Sequence, residues 1–121
     1  MDTTKRRELV EQYFSALDAE SYDELRPVFD QEAEYLYPDE NPITGLDNIV
    51  TFFRERRPTG GTDHEVTRWV HNEDVTVAEG HVTGMNQGIP FEGYFCDVVE
   101  FDAEEDSVTS IAVYSRSDAD T

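Results

Sequence analysis

The stretch Phe91-Glu92-Gly93-Tyr94-Phe95-Cys96-Asp97-Val98-Val99-Glu100-Phe101 constrains the fold more than any other. It is dense in aromatic and β-branched residues, which suit a strand, and it is long enough to be a central one. Alternate side chains of a strand share a face. Phe91, Gly93, Phe95, Asp97, Val99 and Phe101 therefore lie together, with Glu92, Tyr94 and Glu100 opposite. The first face is apolar apart from Asp97. A carboxyl on a buried face is either satisfied by partners or kept for chemistry.

The elements before this strand read as largely helical. Leu9, Val10, Tyr13, Phe14 and Leu17 recur at helical spacing and predict an amphipathic helix over 4–18. Glu8, Glu11, Gln12 and Asp18 take its polar side. Ser21-Tyr22-Asp23-Glu24 has capping-box spacing and predicts a short second helix carrying Leu25, Val28 and Phe29, kinked by Pro27. Residues 33–37 read as a strand ended by Pro38. Ile49, Val50, Phe52 and Phe53 mark a third helix, capped by Thr44 or Asp47. Arg54, Arg56 and Arg57 suit the dipole of its last turn, a reading preferred to an anion site. Residues 58–62 read as a flexible connector.

From His64 onward the pattern is all strand. Segments 64–71, 75–85, 90–101 and 107–114 are joined by short turns, which implies antiparallel meanders. Gly80, Gly84 and Gly93 within them predict bends or bulges. The tail from Arg116 is expected to fray. The expected fold is α+β: a cone-like, curved, mostly antiparallel sheet wrapped around three N-terminal helices, enclosing a pocket, as one domain over 1–121.

The formal net charge of −19 bears on setting and partners. A basic surface for nucleic acid is missing. Self-repulsion is strong in dilute buffer and screened in molar salt, where the Debye length falls to about 3 Å, so a halophilic cytoplasm is the expected setting. No apolar run is long enough for a membrane span, and no signal peptide is read at the N-terminus. Cys96 is the only cysteine, so no intrachain disulfide is expected.

The sequence resembles the nuclear transport factor 2-like superfamily, in its SnoaL-like and ketosteroid isomerase-like branch. The resemblance runs through Val10 to Asp18, Leu25-Arg26-Pro27-Val28-Phe29, the stretch from Ala33 to Pro38, Pro42-Ile43-Thr44-Gly45, Ile49 and Phe52-Phe53, and the closing strands. It implies a small-molecule pocket and, often, a homodimer paired through the sheet. The family's oxyanion-hole tyrosine falls on Tyr13 and its protonated aspartate on Asp97. Together they imply donors to a developing enolate or alkoxide oxygen. The family's general-base aspartate falls on Tyr37. A tyrosine hydroxyl is a poor base at neutral pH, so Tyr37 is expected to donate a proton or hydrogen bond instead.

Other candidates rank lower. His81 shares its parity with Glu79 and Thr83 and is expected to point away from the pocket. His64 and His71 are expected at the surface, Asp39 and Glu40 in a solvated loop, and Cys96 outside the pocket. No metal-ligand spacing and no cofactor motif occur. Two functional readings stay open. One is cofactor-free acid–base chemistry, of isomerase, cyclase, dehydratase or hydrolase type, on a hydrophobic small molecule, with Tyr13, Asp97 and Tyr37 as its site. The other is a ligand-binding or dimerisation module without chemistry.

Overall fold

The computed structural model describes residues 2–117. Helix α1 spans Thr3–Ala19, with the Asp2 side chain accepting from the Lys5 amide. Its buried residues include Val10, Tyr13, Phe14 and Leu17, as the spacing predicts. The second expected helix does not form. Tyr22–Leu25 makes one turn of 3-10 helix, Ser21 provides no side-chain cap, and Phe29 already belongs to a strand. Pro27 has no amide hydrogen to continue a helical ladder. Among the described residues two α-helices, not three, therefore pack on the sheet; α2 is Leu46–Glu55. Gly45 precedes it with a φ of 96°, and neither Thr44 nor Asp47 caps it.

The strands are β1 (Phe29–Leu36), β2 (Ile43–Thr44), β3 (Thr59–His71), β4 (Val75–Asn86), β5 (Ile89–Phe101) and β6 (Val108–Ser117). They form one sheet in the order β2-β1-β6-β5-β4-β3. Every pairing is antiparallel except β1 with β6. Residues 59–62 belong to β3 rather than to a connector. The strand absorbs Gly60 and Gly61 through a register shift between Gly60 and Asp63. Arg116 belongs to β6, opposite Tyr94, so the tail does not fray at that residue; the tail beyond 117 lies outside the described residues.

The alternation read in β5 holds. Gly93, Phe95, Asp97 and Val99 are buried, while Glu92, Tyr94 and Glu100 are exposed. Two register shifts interrupt the pairing of β3 with β4. Gly80 faces Val66 at the second register shift, and a Cβ there would lie 1.9 Å from the Glu65 carbonyl oxygen and 2.8 Å from the Phe95 ring. Only glycine allows so close an approach of two backbones. The core lies between the concave face of the sheet and the two helices, with Val10, Leu25, Ile49, Phe52, Val99 and Ile111 fully buried. Among the described residues, no helix is long and apolar enough to cross a membrane.

Candidate active site

A cavity of about 520 Å³ lies in the concave side of the sheet. Its lining grades from buried residues (Tyr13, Tyr35, Phe95 and Asp97) to exposed ones (Asp39, Glu40, Arg56 and Asn86). Tyr13, Tyr37 and Asp97, which lie far apart in the chain, all contribute to it. Tyr13 projects from the buried stripe of α1. Asp97 projects from the inward parity of β5. Tyr37 follows the end of β1, with its ring stacked 6.0 Å from that of Tyr35.

The floor is dry and polar at once. The Tyr13 hydroxyl lies 2.7 Å from that of Tyr35, and both residues are 1% exposed. Burial pushes the Tyr13 hydroxyl well above its ordinary value, and the neighbouring Tyr35 and Asp97 add to the effect. Tyr35 is raised first by burial and next by Asp97. Desolvation lifts the Asp97 carboxyl to about 8, against an opposing contribution from the Tyr13 hydroxyl. Low-dielectric surroundings disfavour the charged form of each group. Burial therefore favours the neutral form of all three. Tyr37 is half-buried, and burial raises its hydroxyl too, which removes it further from service as a base.

His64 departs from the surface position expected of it. Its side chain is 11% exposed and lines the cavity. Its ring is held between Phe14, stacked at 4.9 Å, and Phe95, edge-on at 5.2 Å. Its Nδ1 lies 2.5 Å from Asp18 Oδ1. Asp18 also accepts from the His64 amide at 2.9 Å and from the Thr62 hydroxyl at 2.9 Å. Burial pushes the Asp18 carboxyl up, but these bonds, led by that of the His64 side chain, outweigh it and hold Asp18 below its ordinary value. Asp18 is thus no free member of a polar helix face.

The family assignment follows from the sequence profile of the SnoaL-like domain, which matches residues 10–111. The chain belongs to the SnoaL-like domain family. Similar folds occur in solved structures of low sequence identity. An NTF2-like protein from Anabaena variabilis is 16% identical, with 96% of this chain and 90% of that one covered at a TM-score of 0.82. An LEH-like epoxide hydrolase of M. tuberculosis is 18% identical, with 93% and 79% covered at a TM-score of 0.78. A protein from Jannaschia, provisionally assigned as a SnoaL-like polyketide cyclase, is 13% identical, with 93% and 85% covered at a TM-score of 0.78. No relative among curated proteins matches.

In this SnoaL-like domain the remaining candidates fall where their parity puts them. His81 faces away from the cavity, 3.1 Å from Glu92 Oε2. Cys96 lies on the same outer face, and burial raises its thiol. His71 bonds Thr76 through Nδ1, away from the cavity. Among the described residues, no cluster of three or more His, Cys, Asp or Glu is placed to hold a metal ion. The SnoaL-like cavity thus combines oxygen groups whose neutral, hydrogen-bond-donating form burial favours, Tyr13 and Asp97, with an imidazole bonded to a carboxylate. Donors of the first kind stabilise developing negative charge, and a group of the second kind moves protons.

Four lining or supporting residues escape a reading of the sequence alone: Tyr35, His64, Asp18 and Arg57. Signals for two of them exist. Asp18 stands four residues beyond Phe14, on the same side of α1. His64 shares its parity with Thr62 and Val66 once β3 is extended back to Thr59.

Proposed function

We propose that this SnoaL-like domain is a cofactor-free acid–base enzyme acting on a hydrophobic small molecule that carries a carbonyl or hydroxyl oxygen. Tyr13 and protonated Asp97 donate hydrogen bonds to that oxygen as it gains negative charge. His64, with Nδ1 fixed by Asp18, moves a proton at the neighbouring carbon or at a leaving group through Nε2. The position that resemblance gives to a general base is occupied by Tyr37, which serves as a further donor near the mouth. The observation that carries the reading is the presence of Tyr13, Asp97 and His64 on one cavity. Removal of a proton next to a carbonyl is the step common to the isomerase, cyclase and dehydratase variants, and it needs both kinds of group.

The test is exchange of the α-protons of 2-tetralone in D2O, followed by proton NMR. The wild-type protein accelerates exchange over buffer. Tyr13→Phe and Asp97→Leu each reduce the acceleration by about tenfold or more, and Asp97→Asn, which keeps a donor, retains more of it. His64→Gln removes the catalysed part. Exchange indifferent to all four changes sinks the reading.

A non-catalytic ligand-binding module is the second reading, favoured by Tyr37 at the family's base position. It predicts binding of the ketone with no exchange. We further propose pairing of two copies through the outer face of the sheet, where Tyr94, Tyr114 and Met85 are exposed. Tyr114→Glu is then expected to convert a dimer to a monomer in light scattering.

A further inference from the structure

Two arginines of this acidic protein stand apart from the rest: Arg116, which lies over the Tyr94 ring, and Arg57. Arg6, Arg7, Arg26, Arg54, Arg56 and Arg68 all pair with carboxylates. Arg57 has no carboxylate partner among the described residues, yet it lines the cavity. It lies just past α2, half-buried, with its amide bonded to the Phe52 carbonyl at 2.9 Å. Its Nη1 donates to the Leu17 carbonyl at 3.3 Å and to the Tyr22 hydroxyl at 3.2 Å. Its Nη2 donates to Thr62 Oγ1 at 3.0 Å. All three acceptors are neutral, so nothing in this set compensates the charge.

A guanidinium carries five N–H donors. The three bonds leave Nε–H and the second Nη2–H. Nε and Nη2 border the edge of a guanidinium that grips a carboxylate side-on. Arg6 shows the same edge in use, with Nε and Nη2 both donating to Glu105 at 2.9 and 2.6 Å. The Arg57 fork is also pre-positioned. Thr62 passes its own hydrogen to Asp18, so Arg57, Thr62, Asp18 and His64 form one bonded chain. The charge is felt at the floor of the cavity, where Arg57 opposes the upward push of burial on Tyr13, Tyr35 and Tyr37.

We propose that the open edge of Arg57 binds a carboxylate of the ligand, so that the substrate class is a small apolar acid with its reacting oxygen distant from its carboxylate. The assignment rests on Tyr13 and Asp97 as the oxygen-binding end. Two carboxylates near the mouth oppose an anion, Asp39 and Glu40, and Glu40 is partly neutralised by Arg56 at 3.5 Å. The general negative field is a long-range effect that salt removes, whereas a partly buried pair is screened less.

The experiment compares two fluorescent probes in 1 M KCl at pH 6.5: 6-hydroxy-2-naphthoate, which has both ends, and 2-naphthol, which lacks the carboxylate. The wild-type protein is expected to bind the naphthoate about tenfold more tightly or better. Arg57→Met is expected to abolish that preference and leave 2-naphthol within about threefold, and Arg57→Lys to restore part of it, since Lys keeps the charge but not the fork. Because Arg57 also braces Leu17, Tyr22 and Thr62, a second measurement uses the unaltered protein. Benzoate is expected to displace the naphthoate at lower concentration than benzyl alcohol does. Equal probe affinities, or equal competition, overturn the proposal. Tyr13→Phe separates it from the reading it rests on. If 2-naphthol binding is unmoved by Tyr13→Phe while Arg57→Met still removes the preference, the oxygen site fails and the anion site stands.

Discussion

Nδ1 of His64 lies 2.5 Å from Oδ1 of Asp18, with the imidazole held between Phe14 and Phe95. One ring nitrogen is thereby committed to a carboxylate, and the other has no partner among the described residues. This relationship ties the end of α1 to β3 and gives the cavity a group that can accept a proton. His64→Ala removes the largest of the bonds holding Asp18 below its ordinary value, while much of the burial remains. The Asp18 carboxyl is therefore expected to titrate at higher pH in this variant, as read by carbon-13 NMR. Its stabilising contribution, present above the unfolded value, is then lost earlier as pH falls. An unmoved titration would show that the pair is not coupled.

Asp97 has the opposite sign. Its folded value of about 8 lies above the unfolded value near 3.8. Below about pH 4 the carboxyl is protonated in both states and costs nothing. Between the two values only the unfolded chain ionises, so stability falls as pH rises and levels off above about pH 8. Urea unfolding of wild type and Asp97→Asn from pH 4 to 9 isolates this contribution. The difference between them is expected to grow in favour of the amide as pH rises, and a pH-independent difference would contradict it.

Gly80→Ala places a methyl carbon 1.9 Å from the Glu65 carbonyl oxygen. The two strands must separate, at a cost of about 3 kcal/mol or more. Gly60→Ala meets only the tip of Glu20, at 3.8 Å, and is expected to stay within about 1 kcal/mol. Thermal unfolding of the two variants side by side checks the contrast.

Arg6 is 1% exposed. It donates to Glu105, to the carbonyls of Asn72 and Glu73, and to Thr76. Arg6→Met leaves these acceptors without their cation, and a loss of about 3–5 kcal/mol is expected in chemical unfolding. Arg6→Lys should recover little, because a single ammonium cannot span the same acceptors.

The charge of −19 carries the halophile proposal. Raising KCl from 0.1 to 2 M is expected to increase the unfolding midpoint, as screening removes self-repulsion. A midpoint indifferent to salt would count against it.

The parity of β5 was readable because one face of the strand is buried, which pins every second side chain. That parity places Asp97, and helical spacing places Tyr13, on buried faces. The second helix does not form because a capping signature over Ser21–Glu24 cannot offset Pro27, three residues beyond Glu24. His64 was misplaced for a tertiary reason. Gly60 and Gly61 look like a linker in isolation, but register shifts in pairing with β4 accommodate them and draw the strand back to Thr59. The Asp18 bond to His64 and the bonds from Arg57 to Leu17 and Tyr22 join residues more than thirty positions apart, for which local pattern carries no signal.

The parallel pairing of β1 with β6 sets an order on assembly. Among the described residues β1 pairs with β2 and β6 alone, so it joins the larger part of the sheet only through β6, the last of the six strands in chain order. Tyr35, on β1, can therefore meet Tyr13 in a sheet-backed floor only after the chain has been synthesised through Ile111, its partner in register. Before that point a growing chain on the ribosome would carry a β1 face with only β2 beside it, while α1 already has β3 and β5 to pack on. Translation pauses before β6 would lengthen that exposure, and a truncated product ending in the turn after β5 would retain Asp97 but not the enclosure that keeps it neutral.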